Sequence, residues 1–119
     1  MKDFRQLKVW EKAHAVTLAV YKATDKFPKH EVYGLTSQIQ RAAASIPTNI
    51  AEGCGKDSDP ELKRYLIIAM GSSSELEYLL LLAHDLGYLT DDTHRDLSGI
   101  LVETRKMLNT LIQKLKSNR

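Results

Sequence analysis

Two spacings in this sequence could hold a metal. Glu11-Lys12-Ala13-His14 sets a carboxylate and an imidazole one helical turn apart, and Asp91-Asp92-Thr93-His94 repeats the pattern with aspartate. A di-metal helical bundle needs an inward Glu-x-x-His from each of two helices and a further Glu from each of the other two. At about 100° per residue, Glu11 lies roughly 160° from the centre of the apolar stripe on its helix, and His14 roughly 100° away. Asp91 and Asp92 fall where carboxylates favour a helix start anyway. His30 and His84 have no ligand partner at useful spacing. Cys54, the one cysteine, cannot form an internal disulfide, and its use as a nucleophile is the weaker reading. Nucleophile triads, glycine-rich phosphate loops and zinc spacings are absent. The sequence therefore predicts no metal, no cofactor and no enzymatic activity.

A second group is polar. Arg41, Gln38, Ser45, Asn49 and Glu52 follow one line at helical spacing, and Glu75 shares a face with Ile68, Leu79 and Leu82. A carboxylate on an apolar face needs a partner. The favoured reading is a structural network in which Arg41 pairs with Glu75 or Glu52, and Asn49 satisfies backbone freed near Pro47. A small-molecule pocket around Arg41, Asn49 and Glu52 is a more distant reading.

Four helical segments must position these residues. The first runs from about Leu7 to Lys26, with Val9, Trp10, Ala13, Val16, Val20, Ala23 and Phe27 on one stripe and Phe27-Pro28 as its stop. The second starts near Glu31 or Leu35 and runs to Ala51, keeping its apolar phase through Leu35, Ile39, Ala42, Ile46 and Ile50. That phase carries the helix through Pro47, where a lost donor and a clash with the carbonyl of Ala43 predict a kink. Gly53 and Gly55 are read as its end. The third opens on a capping box, Ser58 with Glu61, tolerates Pro60 in its first turn and runs to Leu86 before Gly87. The fourth starts near Thr90 and carries Leu97, Ile100, Leu101, Leu108, Leu111, Ile112 and Leu115. Four long helices with short joints imply one domain over residues 1–119, an all-α, up-down-up-down antiparallel four-helix bundle with a kinked second helix.

Composition bounds the rest. At 119 residues, 43% hydrophobic and 27% charged, the chain is a single globular unit rather than disordered. Its longest uninterrupted apolar run is far below the roughly 20 residues a membrane helix needs, so no membrane partner is expected. MKDFRQLKVW is charged throughout and has no signal-peptide core, which with the lone cysteine predicts a cytoplasmic protein.

The stretches FRQLKVWEKA, FPKHEVYGLTSQIQRAAASIPTNIAEGCG, LIIAMGSSSELE and LGYL resemble the bacterial four-helix-bundle proteins encoded in 23S ribosomal RNA intervening sequences. The resemblance spans nearly the whole chain, and SIPTNIAEG is its most specific part. The architecture is also similar to that of accessory variability proteins of diversity-generating retroelements. The resemblance implies an all-α protomer assembling as a homopentamer. In the retroelement relatives it also implies binding to nucleic acid and to a reverse transcriptase. It supplies no biochemical activity for the intervening-sequence proteins themselves.

Assembly and charge can be read independently of the resemblance. Leu79, Leu80, Leu81 and Leu82 are consecutive and point around about 300° of a helix, more than one protomer core covers, so a homo-oligomer interface is expected there. That it closes as a ring-like homo-oligomer is what the resemblance implies. The net charge of +2 is uneven: residues 1–56 hold nine Lys/Arg against five Asp/Glu, and the remainder eight against ten. Arg5, Lys8, Lys12, Lys22 and Lys26 form a basic line on the first helix, interrupted by Glu11. An antiparallel bundle would crowd Lys2, Arg5, Lys8, Lys12, Lys56, Lys63, Arg64, Lys114, Lys116 and Arg119 at one pole, and Asp25, Glu31, Asp85, Asp91 and Asp92 at the other. A basic pole repeated around a ring could hold the phosphate backbone of RNA or DNA without reading sequence. Nucleic-acid binding through that pole and the first-helix stripe is the leading expectation. The alternative is an oligomeric scaffold that docks a partner protein and binds no nucleic acid.

Overall fold

Residues that stop helices decide where the joints fall. The computed structural model describes residues 2–117 as α1 (Lys8–Thr24), α2 (Leu35–Cys54), α3 (Asp59–Asp85) and α4 (Asp91–Ser117), with single 3-10 turns at Phe4–Gln6 and Lys29–Glu31. No strand occurs among the described residues. At the α2–α3 joint, Ser58 Oγ accepts from the Glu61 N–H at 3.3 Å and α3 carries Pro60 in its first turn. At the α3–α4 joint, Gly87 takes φ +82°. Its N–H donates to the His84 carbonyl and that of Tyr88 to the Ala83 carbonyl, both at 2.9 Å, the paired closure of a Schellman cap. Thr90 Oγ1 then accepts from the Thr93 N–H at 3.1 Å to open α4.

The start of α2 has a less obvious cap. Glu31, in the preceding turn, accepts from the Leu35 N–H through Oε1 at 3.1 Å and from the Tyr88 hydroxyl through Oε2 at 2.9 Å. Those two donors, the backbone amide first, hold the Glu31 carboxyl below its ordinary pKa. One side chain thus caps α2 and ties it to the α3–α4 joint.

Contacts between helices fix their directions. Thr17 meets Ala43, Gln40 meets Thr24, and the Lys2 N–H donates to the Cys54 carbonyl at 2.8 Å, so α1 and α2 run oppositely. Ser45 with Ser72 and Gly53 beside Tyr65 do the same for α2 and α3, Glu77 with Arg105 and His84 with Asp91 for α3 and α4, and Lys12 with Glu103 and Lys8 beside Lys114 for α1 and α4. Each helix packs on two neighbours, α2 with α3 most extensively and α1 with α4 least; the diagonal pairs make no close backbone approach. The result is 47 × 23 × 20 Å, one bundle long.

Between the helices lies a core of Val9, Ala13, Val16 and Val20 from α1, and Ile39, Ala42, Ile46 and Ile50 from α2. Leu62, Leu66, Ala69, Leu76, Leu79 and Leu80 of α3 and Leu97, Leu101, Leu108, Ile112 and Leu115 of α4 add to it.

Helix α2 continues through Pro47, which is buried. Proline leaves the Ala43 carbonyl without its i+4 donor. Thr17 Oγ1 of α1 reaches that carbonyl at 3.1 Å while also lying 2.9 Å from the Ala13 carbonyl. Asn49, expected to supply this group, instead donates through Nδ2 to the Ser45 carbonyl at 2.8 Å and to Ser45 Oγ at 3.0 Å. The sequence line could not reveal the donor because it sits on another helix.

Gly53 does not end α2. It lies inside the helix, and a Cβ built there would fall 2.9 Å from Tyr65 Cβ and 3.3 Å from the Leu62 carbonyl oxygen. The glycine is needed for close approach of α3, not for a stop. Gly55 follows as the C-cap.

By length and composition α3 could cross a membrane, with an 18-residue window of mean hydropathy 1.5, 44% of which is buried. Counting only uninterrupted apolar runs misses it, because Gly71, Ser72, Ser73, Ser74 and Glu75 dilute the sequence without making it strongly polar.

Candidate nucleic-acid interface

The loosest seam of the bundle, between α1 and α4, is where the basic side chains meet. Near the chain's start the seam opens into a trough of about 390 Å³ floored by Leu7, Val9, Met107 and Leu111. Lys8 stands on the α1 rim, and Lys106 and Lys114 stand on the α4 rim, with Thr110 between them. Among the described residues no acidic side chain lines this trough, and Glu11 lines the adjoining hollow with Lys12. The three lysines are exposed, and none makes an ion pair among the described residues. Antiparallel packing produces the juxtaposition: the first turn of α1 lies beside the last three turns of α4.

Lys106 was absent from the residues expected at the pole. The signal was present, since Lys106, Thr110 and Lys114 recur every four residues and share one helix face. Its neighbour Arg105 turns the other way, donating to Glu77 Oε1 at 2.7 Å and Ser74 Oγ at 3.3 Å on α3.

Other members of the expected basic set are engaged or distant. Lys12 pairs with Glu103 at 2.8 Å, which holds the Glu103 carboxyl below its ordinary value. Arg5 pairs with Asp3, and its guanidinium lies 4.7 Å from the Phe4 ring centre. Arg64 pairs with Glu61, and both Arg64 and Lys56 lie over the Tyr65 ring. Lys63 is half-buried, and Lys116 is exposed near the end of α4. Lys22 and Lys26 line a separate trough of about 410 Å³ with Tyr88 and Asp96 at the other end of the seam. Ala15 and Ala19 intervene, so the α1 line is two basic patches rather than one stripe. Arg119 lies outside the described residues.

The expected polar network is smaller than its sequence line. Asn49, Ser45 and Ser72 form a chain across α2 and α3, with the two serine oxygens 2.7 Å apart. Arg41, Glu52 and Glu75 are exposed, and no ion pair joins them among the described residues. The face assigned to Glu75 was the wrong one: the buried line of α3 runs through Leu66, Ala69, Ser73, Leu76 and Leu80, which leaves Glu75 and Ile68 outside.

The leucine run divides likewise. Leu79 and Leu80 belong to the protomer's own core, so an interface role for them does not fit this packing. Leu82 is partly buried, and Leu81 is 45% exposed. Leu81 instead continues an outer line of α3 through Ile67, Gly71, Ser74 and Tyr78, in which Ile67 is 50% and Tyr78 59% exposed. Spacings of four and three put these on one face, with small residues at its middle.

Little else could do chemistry. Glu11 and His14 are exposed, and His14 stacks on Trp10. Burial raises the Cys54 thiol above its ordinary pKa, the reverse of activation. Both histidines expected to lack partners face carboxylates: His30 Nε2 lies 3.9 Å from Glu31 Oε2, and His84 Nε2 lies 2.6 Å from Asp91 Oδ1 with its Nδ1 3.4 Å from Asp85 Oδ1 and its ring stacked on His94. The bond to Asp91 raises the His84 pKa. Among the described residues, no three His, Cys, Asp or Glu side chains converge as a metal site would require.

Four antiparallel helices with a lysine-rimmed seam define an all-α bundle. The family model of the 23S rRNA-intervening sequence protein matches residues 5–110, and the chain belongs to that family. Its fold is similar to a crystal structure from Bacteroides thetaiotaomicron, described as a protein of unknown function from the S23 ribosomal protein family. The TM-score is 0.81 and the identity 24%, over 88% of this chain and 95% of that one. Comparison with curated proteins gives no match.

Proposed function

We propose that this protein is a non-enzymatic, homo-oligomeric bundle that binds the backbone of RNA or DNA through the lysine-rimmed end of the α1–α4 seam. The observation that carries the reading is the convergence of Lys8, Lys106 and Lys114 from two helices around a trough with no acidic lining. Flexible ammonium groups suit phosphate oxygens, and such contacts position a backbone without reading bases. Self-assembly would multiply the patch. The outer α3 line of Ile67, Gly71, Ser74, Tyr78 and Leu81 supports a contact between copies, since exposed apolar faces of this kind usually meet another chain. A ring of five follows from the family resemblance alone.

The test is titration of a fluorescent structured RNA at two salt concentrations, with the mass of the protein recorded alongside. Affinity should fall steeply with salt, and Lys8→Glu with Lys106→Glu and Lys114→Glu should flatten that dependence by about two in log–log slope. No binding at low salt by an intact oligomer would overturn the proposal. That result would favour the scaffold reading, for which Leu18 and Tyr21 offer a second exposed apolar surface on α1.

A further inference from the structure

A phosphate backbone alone explains the lysines of the seam but not the floor beneath them. Leu7, Met107 and Leu111 are each half-buried and open into the trough between the charged rims. An outward-facing duplex backbone would set sugars and phosphates over this aliphatic surface and leave it without an apolar partner. Resting on the function proposed above, we infer that the trough selects single-stranded nucleic acid, seating one unstacked base on Leu7, Met107 and Leu111 while Lys8, Lys106 and Lys114 hold the flanking phosphates.

Three features favour a base over another apolar group. Lys106 and Lys114 stand about 12 Å apart along α4, one beyond each end of the Met107–Leu111 floor, so anionic groups are expected on both sides of the apolar one. An acyl anion carries its charge at one end only. Met107 presents a polarizable thioether, which makes favourable contacts with aromatic rings. Thr110 Oγ1 donates to the Lys106 carbonyl at 3.0 Å, which leaves its lone pairs free to accept from a base amino group. A trough of about 390 Å³ falls within the range of small-ligand sites. Proteins that bind single strands commonly combine a basic groove with aromatic side chains on which bases stack, a pairing that is sequence-tolerant; here the aliphatic floor of Leu7, Met107 and Leu111 takes the place of the aromatic platform.

The experiment measures binding of four fluorescent probes of equal length by anisotropy: a single-stranded RNA, the corresponding duplex, a fully abasic sugar–phosphate strand, and a mixed-sequence single-stranded DNA. The single strands should bind about tenfold more tightly than the duplex and the abasic strand. Met107→Ala should weaken the single strands several-fold more than it weakens the duplex, with its melting curve recorded to confirm folding. The abasic probe needs no variant, so the inference stays testable if that substitution disturbs the bundle. Equal, salt-sensitive binding of all four probes would overturn base seating and leave backbone binding standing. Absence of binding to every probe would overturn both.

Discussion

Replacing Gly53 by alanine adds one methyl group at the point where α2 meets α3. Its carbon would lie 2.9 Å from Tyr65 Cβ, 3.0 Å from Leu62 Cδ1 and 3.3 Å from the Leu62 carbonyl oxygen. The leucine methyl can rotate away, but Tyr65 Cβ and the carbonyl are fixed to the α3 backbone. Carbon atoms pack comfortably at about 3.5–4.0 Å, so the two helices must part locally by roughly 0.6 Å or more. Overpacking of this kind costs about 1–3 kcal/mol. Alanine returns at most about 1 kcal/mol of helix propensity at a glycine position, and less near a helix end. Gly53→Ala should therefore destabilise the protein by about 1–2 kcal/mol. Gly99→Ala supplies the contrast, because an added Cβ there meets nothing within 4 Å and the site lies within α4. It should stabilise by up to about 1 kcal/mol. Urea unfolding followed by helical circular dichroism measures both midpoints, which should move in opposite directions. A Gly53→Ala midpoint at or above that of the parent, with an unchanged slope, would refute the close-approach reasoning.

Thr17→Val removes the donor that reaches the Ala43 carbonyl and should cost about 1–3 kcal/mol, whereas Thr17→Ser should cost less; Pro47→Ala restores a backbone donor, and a double-mutant cycle should show the two positions coupled. Thr36 Oγ1 is buried without a hydrogen-bond partner among the described residues, so Thr36→Val should be neutral or stabilise by about 1 kcal/mol in the same urea assay. His84 has a folded pKa raised first by its bond to Asp91, so its stabilisation is complete below the unfolded histidine value and is lost as pH rises through the folded one. Asp91 is shifted downward by the same bond, and its contribution is lost as pH falls through its lowered pKa. Melting temperatures recorded from pH 5 to 9 should decline on the alkaline side in the parent and change less in His84→Gln; parallel profiles would refute a stabilising His84–Asp91 pair.

Helix periodicity made most of the fold legible, because the buried faces of α1, α2 and α4 repeat every three to four residues. Ser58, Gly87 and Thr90 mark their joints through capping chemistry that is local in sequence. The failures share a cause. Gly53 was misread as a stop because the requirement for a missing Cβ comes from Tyr65 and Leu62 on another helix. The ties that Thr17 and Glu31 make to other helices are not legible locally, because the partners are 26 and 57 residues away. On α3, apolar residues occur nearly all round the helix, so the sequence could not say which side was inner, and Glu75, Leu79 and Leu80 were placed accordingly. At the candidate site Lys8 and Lys114 could be brought together from topology, whereas the apolar floor between them needed the packing of two helix ends.

The uneven closeness of the four seams also orders events in time. The α2–α3 hairpin has the richest contact and only a short joint to close, so it can form early at little loop-closure cost. Helices α1 and α4 meet across nearly the whole length of the chain and share the least contact, which makes theirs the seam whose opening demands least free energy. Amide protons along α1 and α4 should accordingly exchange with solvent sooner than those of α2 and α3. A ligand lodged between Leu7 and Leu111 would bridge the two helices that exchange first, and protection of those amides would report its arrival without any label on the nucleic acid.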